Sequence, residues 1–326
     1  MSHPAALGID IGGTKTLCLL VNKNRVVLQA TKFKTEAHEG RNQFTDNLQE
    51  SVKELSQRAS KKGYKLVGAG VGFAGSVTSK RGLVKASPNL ICLEGFPLGR
   101  FLEDALQTPV VIGNDVQLGL CAERKFGSAR GAPNVLGVFF GTGVGGAAII
   151  NGKIYRGASG VGGQIGAILA QPVGGPEAAM SHGMLDRIAS KAAIASEALV
   201  MAVKNWAPYL HTRVDTDLSK ISWGILRRAI AHGDERIEAM LRARMKVVGI
   251  ALSSVVNFFN PNMVVLGGGL VDEMPRLVLA EVQAGLREYL VPEVNQALKI
   301  RPAELGGNAV ALGAADLALE KWLDQG

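Results

Sequence analysis

Asp10, Lys15 and Asp115 are the residues whose types and surroundings most clearly call for chemistry. Asp10 interrupts an apolar run, Leu7-Gly8-Ile9-Asp10-Ile11, that turns through Gly12-Gly13-Thr14-Lys15 into a second apolar run ending at Val21. A carboxylate in an apolar strand needs a reason, because an unpartnered buried charge is expensive. Gly12 and Gly13 let the backbone turn and leave amides free to face an anion, while Thr14 and Lys15 add a hydroxyl and a cation. The pattern suits a hairpin that holds phosphates, with a carboxylate beside it for a magnesium ion. The alternative is an ordinary Gly-Gly hairpin with a surface lysine. A Walker loop is excluded, because Thr14 separates Gly13 from Lys15 and the next residues read as a strand where a helix must open.

Asp115 ends a short apolar run, Val110-Val111-Ile112-Gly113-Asn114-Asp115, and opens a helical pattern that stops at Gly127. The C-terminal end of a strand is where ligands bind in open α/β sheets. Asn114 or Asp115 could equally serve only to cap the helix. The opening pattern then recurs: Leu136-Gly137-Val138-Phe139-Phe140-Gly141-Thr142-Gly143 aligns with Leu7 to Thr14, with Phe139 where Asp10 stood. Two related halves could each present one glycine turn to a shared nucleotide. Gly141-x-Gly143-x-x-Gly146 also matches a dinucleotide fingerprint, but Asn151-Gly152 follows as a hairpin turn where that motif needs a helix. Gly267-Gly268-Gly269 after the strand Met263 to Leu266 suits a base or ribose lying against the backbone, or a plain strand-end turn.

The elements that must position these residues are legible. A third strand is expected over Val26 to Phe33, and a helix through Phe44, Leu48, Val52, Leu55 and Ala59 ending at Gly63. Leu66 to Gly75 reads as a strand whose alternate glycines imply close approach by another element or a ligand. Helical patterns run from about Leu185 to Val203, from Ile237 to Phe259 before Pro261, from Leu277 to Leu290, and from Ala309 to Trp322.

The chain has 326 residues, 47% apolar and 20% charged, enough for two domains. No apolar run reaches membrane-spanning length, and the start leaves no room for a signal peptide. Cys18, Cys92 and Cys121 are single and far apart, which indicates neither a disulfide framework nor a metal knuckle and suggests a cytoplasmic setting. The net charge of +8 is spread over small clusters, read as solvated helix faces that would also attract an anionic substrate. No nucleic-acid or membrane partner is expected.

Taken together, the motifs resemble the ROK family of sugar kinases, within the group sharing the actin-like, ribonuclease-H-like ATPase fold. Asp10 to Thr16 matches the first phosphate motif. Gly72-Phe73-Ala74-Gly75 with Ser87-Pro88-Asn89-Leu90 matches the sugar-binding stretch, with Ala74 in place of the usual proline. Gly113-Asn114-Asp115 matches the catalytic motif, and Gly141 to Gly146 the second phosphate motif. The resemblance implies Asp115 as general base and Asp10 as magnesium holder through water. It implies phosphate cradles at Gly12, Gly13, Thr14 and Lys15 and at Gly141, Thr142 and Gly143. Gly75, Asn89 and Asn114 would bind the sugar.

One region departs from the pattern. Where the family has Gly-Glu-x-Gly-His, this chain reads Gly163-Gln164-Ile165-Gly166-Ala167, and Gly183-Met184-Leu185-Asp186 replaces Gly-Cys-Leu-Glu. Gln171 to Met184 contains no cysteine, and His182 without thiolates cannot make a structural zinc site, so no zinc is expected. Gln164 and Asp186 would keep altered sugar contacts. The expected architecture is two ribonuclease-H-like α/β domains, 1–116 and 117–309, with a cleft between them and a final helix, about 310–326, packing back on the first. The expected function is phosphorylation of a hexose by magnesium-ATP, with polyphosphate left open as another donor. A homodimer is implied by the family. The alternatives are a ROK-type sugar-binding regulator without turnover, and an actin- or chaperone-like ATPase, which the stretch around Asn89 argues against. Repressors of the family carry an N-terminal DNA-binding domain, for which the residues before Leu7 leave no room.

Overall fold

Ala5 to Ile9 are buried on both faces, so the first strand belongs inside a sheet and not at its edge. The computed structural model describes residues 2–36, 39–77, 82–87, 90–170 and 183–323, and it places that strand, β1 (His3–Ile11), third of five. β1 pairs antiparallel with β2 (Lys15–Asn22), which pairs antiparallel with β3 (Val27–Lys34). Helix α1 (Arg41–Lys61) leads to β4 (Tyr64–Phe73), parallel to β1. A small hairpin, β5 (Ser76–Val77) and β6 (Val84–Ala86), and α2 (Leu98–Leu106) precede β7 (Val110–Asn114), parallel to β4. Helix α3 (Asp115–Phe126) follows directly.

The second sheet is built the same way. β8 (Val135–Phe140), β9 (Val144–Ile150) and β10 (Lys153–Ile154) form an antiparallel run. Among the described residues there follow helices α4 (Leu185–Ala189), α5 (Lys191–Val203), α6 (Pro208–Val214), α7 (Trp223–Ala231) and α8 (Glu235–Phe259). β11 (Met263–Gly267) lies parallel to β8. Then α9 (Gly269–Glu273), α10 (Pro275–Arg287) and α11 (Pro292–Ala297) lead to β12 (Lys299–Pro302), parallel to β11. The chain's last helix is α12 (Ala309–Trp322).

The two strand orders, β3-β2-β1-β4-β7 and β10-β9-β8-β11-β12, correspond position by position and in strand direction. The recurrence of the opening pattern at Leu136 is therefore a recurrence of topology: β8 stands for β1, β9 for β2 and β11 for β4. This is the ribonuclease-H-like arrangement of actin- and hexokinase-type ATPases. Packing separates two compact units, Met1–Glu123 with Gly307–Gly326, and Arg124–Gly306. Val116 lies in the first turn of α3, which runs on unbroken to Phe126. Each unit has its own core. In the first, Phe44, Leu48, Val52 and Leu55 of α1 join Ile9, Val71 and Phe73; in the second, Val248 and Leu252 of α8 join Val264 and Leu266.

Gly8 of β1 and the alternate glycines of β4 are explained by α12, not by a ligand. A Cβ on Gly8 would stand 1.9 Å from the carbonyl oxygen of Ala311, and one on Gly70 1.8 Å from that of Ala314. Further along, a Cβ on Gly68 would meet the Trp322 ring at 2.3 Å, and one on Gly72 the Val310 side chain at 2.3 Å. These contacts set the helix direction, with Val310 over the C-terminal end of β4 and Trp322 toward its start. Small residues on α12 (Ala311, Ala314, Ala315) match the glycine stripe, so backbone meets backbone. Replacing Gly70 by Val has no room to relax, because the obstacle is main chain. Gly70→Val is expected to destabilise the protein by about 3 kcal/mol or more, measured by thermal unfolding. A substitution within 0.5 kcal/mol of wild type would disprove this packing.

The helical stretch from Leu185 to Val203 is two helices, α4 and α5. Ser190 has extended backbone, with φ −69° and ψ 156°, and its Oγ accepts the N–H of Ala193, which starts a new helix. Asn151 and Gly152, both at positive φ, make the expected hairpin turn between β9 and β10. Among the basic clusters, Arg58, Arg227, Arg242 and Lys246 form surface ion pairs with Glu54, Glu273, Glu238 and Glu288. Among the described residues, no helix is long and apolar enough to cross a membrane.

Candidate active site

Strand register brings Asp10 and Asp115 of the first unit together. Asp10 on β1 pairs with Gly72 on β4, and Gly72 pairs with Gly113 on β7. Asn114 and Asp115 come next, at the last residue of β7 and the first of α3. A Cβ on Gly72 would lie 3.6 Å from the Cα of Asp115. The strand between the two carboxylates thus contributes only a glycine at this level.

Burial pushes both carboxyls above the ordinary value of 3.8. Asp10 is raised to about 7, first by desolvation and then by the charge of Asp115, with Lys15 partly opposing. Asp115 is raised to about 6 by desolvation, opposed by its own backbone N–H, that of Val116, and the Asn114 side chain. Its place in the first turn of a helix also favours the anion. The two carboxyls titrate as a coupled pair, and desolvation together with their shared charge favours the protonated form of each above the ordinary carboxylate range.

Asn114 both caps and orients. Its Oδ1 accepts the N–H of Gln117 at 3.1 Å, which is the helix-capping bond, and its Nδ2 donates to Asp115 Oδ1 at 3.0 Å. The Asn114 amide and the backbone N–H groups of Asp115 and Val116 thereby orient the Asp115 carboxylate. Asn114 keeps one amide proton for a ligand.

The first glycine turn lies between β1 and β2. The N–H of Gly12 donates to the carbonyl of Lys15 at 3.1 Å. Among the described residues, the N–H groups of Gly13 and Thr14 have no protein acceptor. Lys15 and Thr14 are exposed, and a Cβ on Gly307, just before α12, would lie 3.4 Å from Lys15 Nζ. Two open amides and a cation at one tip make an anion cradle.

The second unit repeats the device with other supports. The N–H of Gly141 donates to the carbonyl of Gly143 at 2.8 Å, and the N–H of Lys191 donates to the carbonyl of Gly141 at 3.1 Å. Among the described residues, the N–H groups of Thr142 and Gly143 have no protein acceptor. Asp186 Oδ1 accepts the N–H of Val144 at 2.7 Å, so this carboxylate is tied to the turn. Gly268, at φ +88°, packs against the backbone of Phe140, which brings the Gly267–Gly269 turn beside the Gly141–Gly143 turn. Gly267 lies under the Phe139 ring, and Gly269 against the Trp223 indole. The ring of Phe139 occupies, over Gly267, the place that Asp10 holds beside Gly72. Gln164 is exposed, on a segment whose Gly163 and Ile165 pack over Gly146 of β9.

The structure thus gathers Asp10, the Gly12–Lys15 turn, Asn114 and Asp115 in the first unit, and the Gly141–Gly143 turn, Asp186 and the Gly267–Gly269 turn in the second. Gly75 packs against Ala86, and Ser87 Oγ donates to the carbonyl of Ala74 at 2.6 Å, fixing the entry to the sugar stretch. Asn89 itself, with Pro88 and His182, lies outside the described residues. Sequence reasoning missed Thr35, which holds the first turn from β3's end, and Trp223, which faces the third. No local sequence pattern marked either, because the partners of each are distant in the chain.

For a divalent metal, the donor set is one buried carboxylate, Asp10, next to a like charge that a cation would relieve. Among the described residues no three His, Cys, Asp or Glu side chains converge as a metal site. That set fits magnesium, which commonly rests on one or two carboxylates with phosphates and water completing its shell.

The ROK family model matches residues 6–321. A glucokinase of Streptomyces coelicolor is 30% identical over 317 residues, covering 96% of this chain and 97% of the relative. The crystal structure of a ROK family glucokinase from Streptomyces griseus in complex with glucose and AMPPNP superposes with a TM-score of 0.81 at 30% identity, covering 99% of this chain and all of that one. A xylose repressor of Bacillus spizizenii is 24% identical over 321 residues, 98% of this chain but 78% of the repressor. With a family model spanning nearly its whole length and the fold of a solved member, this chain belongs to the ROK family.

Proposed function

We propose that this protein is a sugar kinase that transfers the γ-phosphoryl group of ATP to a hexose hydroxyl, with glucose the first candidate. The observation that carries the reading is the neighbouring pair of largely desolvated carboxylates, Asp10 and Asp115, brought together by strand register on the unit whose first turn leaves two amides open. Likeness to glucokinases along the whole chain supports it. Asp115, oriented by Asn114, takes the proton of the sugar hydroxyl as that hydroxyl attacks the γ-phosphorus. The bond to the β-phosphate oxygen breaks and ADP leaves. Asp10 would hold magnesium, which when bound neutralises charge on the phosphates. The open amides of Gly13 and Thr14, and those of Thr142 and Gly143, align phosphate oxygens, so positioning supplies much of the rate. Asn89, Asn114, Gln164 and the remaining oxygen of Asp186 are the proposed sugar contacts, and the Gly267–Gly269 turn the nucleoside contact.

The acid limb of kcat/KM follows from the raised carboxyls. Asp115 must be unprotonated to act as base, so kcat/KM falls as pH drops through about 6. Asp10, higher at about 7, is drawn down by a bound cation. Raising magnesium from limiting to saturating should therefore move the limb to lower pH. A profile flat from pH 5 to 8, or independent of magnesium, would remove the pair from the mechanism.

A second reading, a sugar-binding regulator without turnover, is favoured by Gln164 in the place of the family's glutamate and by the likeness to a xylose repressor. Thermal unfolding with AMPPNP and magnesium over a panel of hexoses and amino sugars tests the shared premise. The kinase reading expects one sugar to raise the melting temperature further in the presence of nucleotide. No sugar shift with or without nucleotide would overturn both readings.

A further inference from the structure

The first glycine turn is held from outside by a short relay of buried hydroxyls. Thr35, just past β3, donates its hydroxyl proton to the carbonyl of Gly12 at 2.7 Å. Its own Oγ1 lies 3.1 Å from Thr16 Oγ1. Thr35 has one hydroxyl proton and spends it on Gly12, so Thr16 must be the donor of that second bond. The direction is then Thr16 to Thr35 to Gly12. Thr35 grips the turn a second time, because its backbone N–H donates to the carbonyl of Thr14 at 3.1 Å. Both threonines are buried, at 0% and 1% exposure.

The geometry points to Thr35, backed by Thr16, as a positioning residue for nucleotide phosphates. Its two bonds fix the carbonyls of Gly12 and Thr14 inward. Each peptide carbonyl is rigidly opposed to the N–H of the following residue. Pinning the Gly12 carbonyl therefore aims the Gly13 N–H, one of the two open amides, in the opposite direction. The second unit independently shows the same need: there the carbonyl of Gly141, the residue equivalent to Gly12, is held by the N–H of Lys191. The Thr142 N–H is aimed by that bond. Two turns of different sequence thus each have the carbonyl of the leading glycine tied down by a group from another element. Tying it down orders the amides before phosphate arrives, and preorganised donors bind tighter than donors that must be fixed on binding. This inference rests on the kinase reading for the identity of the anion as a nucleotide phosphate.

The test compares wild type, Thr35→Val, Thr35→Ser and Thr16→Val. Binding of magnesium-AMPPNP is measured by calorimetry, alongside KM for ATP and for the sugar, with circular dichroism and melting temperature for folding. Wild-type binding of magnesium-AMPPNP is the check on the underlying reading, and its absence would defeat that reading before the variants are compared. Given wild-type binding, Thr35→Val should weaken magnesium-AMPPNP about 10-fold and raise KM for ATP with little change in KM for the sugar. Thr35→Ser, which keeps the donor, should restore near-wild-type affinity. Thr16→Val, which leaves the Thr35 bond in place, should fall between the two, and it carries the test if Thr35→Val does not fold. Nucleotide affinity unchanged in folded Thr35→Val or Thr16→Val, or equal rises in both KM values, would show the threonines to be structural only.

Discussion

Asp115→Asn should lower kcat by at least ~10²-fold while leaving nucleotide binding intact and weakening sugar binding only modestly. The substitution is close to isosteric, and an asparagine carbonyl can still accept the Asn114 Nδ2 proton that Asp115 Oδ1 accepts at 3.0 Å. The cap from Asn114 to Gln117 is untouched, so α3 should start where it does now. What is lost is the carboxylate as a proton acceptor. Steady-state kinetics with a coupled ADP assay reads the change directly. Equal rates in the variant would remove Asp115 from the mechanism. A second consequence separates this loss from general damage. Without the neighbouring charge, Asp10 should titrate lower than its present value of about 7, which carbon-detected NMR of the carboxyl can follow.

Asp10→Asn should do two opposite things: abolish magnesium-dependent turnover, by ~10²-fold or more, and stabilise the ligand-free protein at pH 8. Both carboxyls are raised in the folded chain, Asp10 from 3.8 to about 7 and Asp115 from 3.8 to about 6. The folded protein therefore holds protons that the unfolded chain releases. The stability these groups contribute is fully present below about pH 4 and is lost as pH rises through 6 and 7. At pH 8 the native state carries two largely desolvated negative charges, opposed in part by Lys15 at Asp10 and by hydrogen bonds from Val116, Asp115 and Asn114 at Asp115. The shift of Asp10 alone corresponds to an upper limit of about 4 kcal/mol, and solvent reaching the partly open site reduces it to roughly 1–3 kcal/mol. Melting temperatures of wild type and variant should differ by several degrees at pH 8 and converge toward pH 4 to 5. Magnesium should raise the melting temperature of wild type and not of the variant. A variant less stable than wild type at pH 8, or still stabilised by magnesium, would contradict the assignment.

This opposition between stability and the proposed function explains why Asp10 stands out in the sequence. Asp10 stood out because its neighbours Ile9 and Ile11 are core residues with no exposure. A position that violates the apolar pattern of its strand is stabilising nothing, so it must serve something else. The repeat at Leu136 was legible for the complementary reason. Its glycines and apolar strands answer the same backbone demands, while Phe139, half-buried over Gly267, shows the pattern with the carboxylate replaced by an apolar ring. The alternate glycines of β4 were read correctly as a close approach, but only the fold shows the partner to be α12, more than 230 residues away in sequence. Ser190 was overlooked because a single serine in an apolar helical stretch is a weak signal until its Oγ is seen on the N–H of Ala193. Thr35 was invisible because its partners, Thr16 and Gly12, come to it through strand pairing that no local window contains. Asp186 was read by resemblance as a sugar contact; the structure adds the bond to Val144 that ties it to the second turn. Chemistry written within one strand or one turn is readable locally; chemistry written across strands requires the register.

The central claim is that the Asp10–Asp115 pair drives phosphoryl transfer to a sugar, and sugar-dependent ADP release tests it most directly. Purified protein with magnesium-ATP should release ADP only when a hexose is added, saturably, and with one sugar phosphate formed per ADP as followed by phosphorus NMR. ADP release unaffected by any sugar, or saturable sugar binding with no ADP and no sugar phosphate, would contradict it.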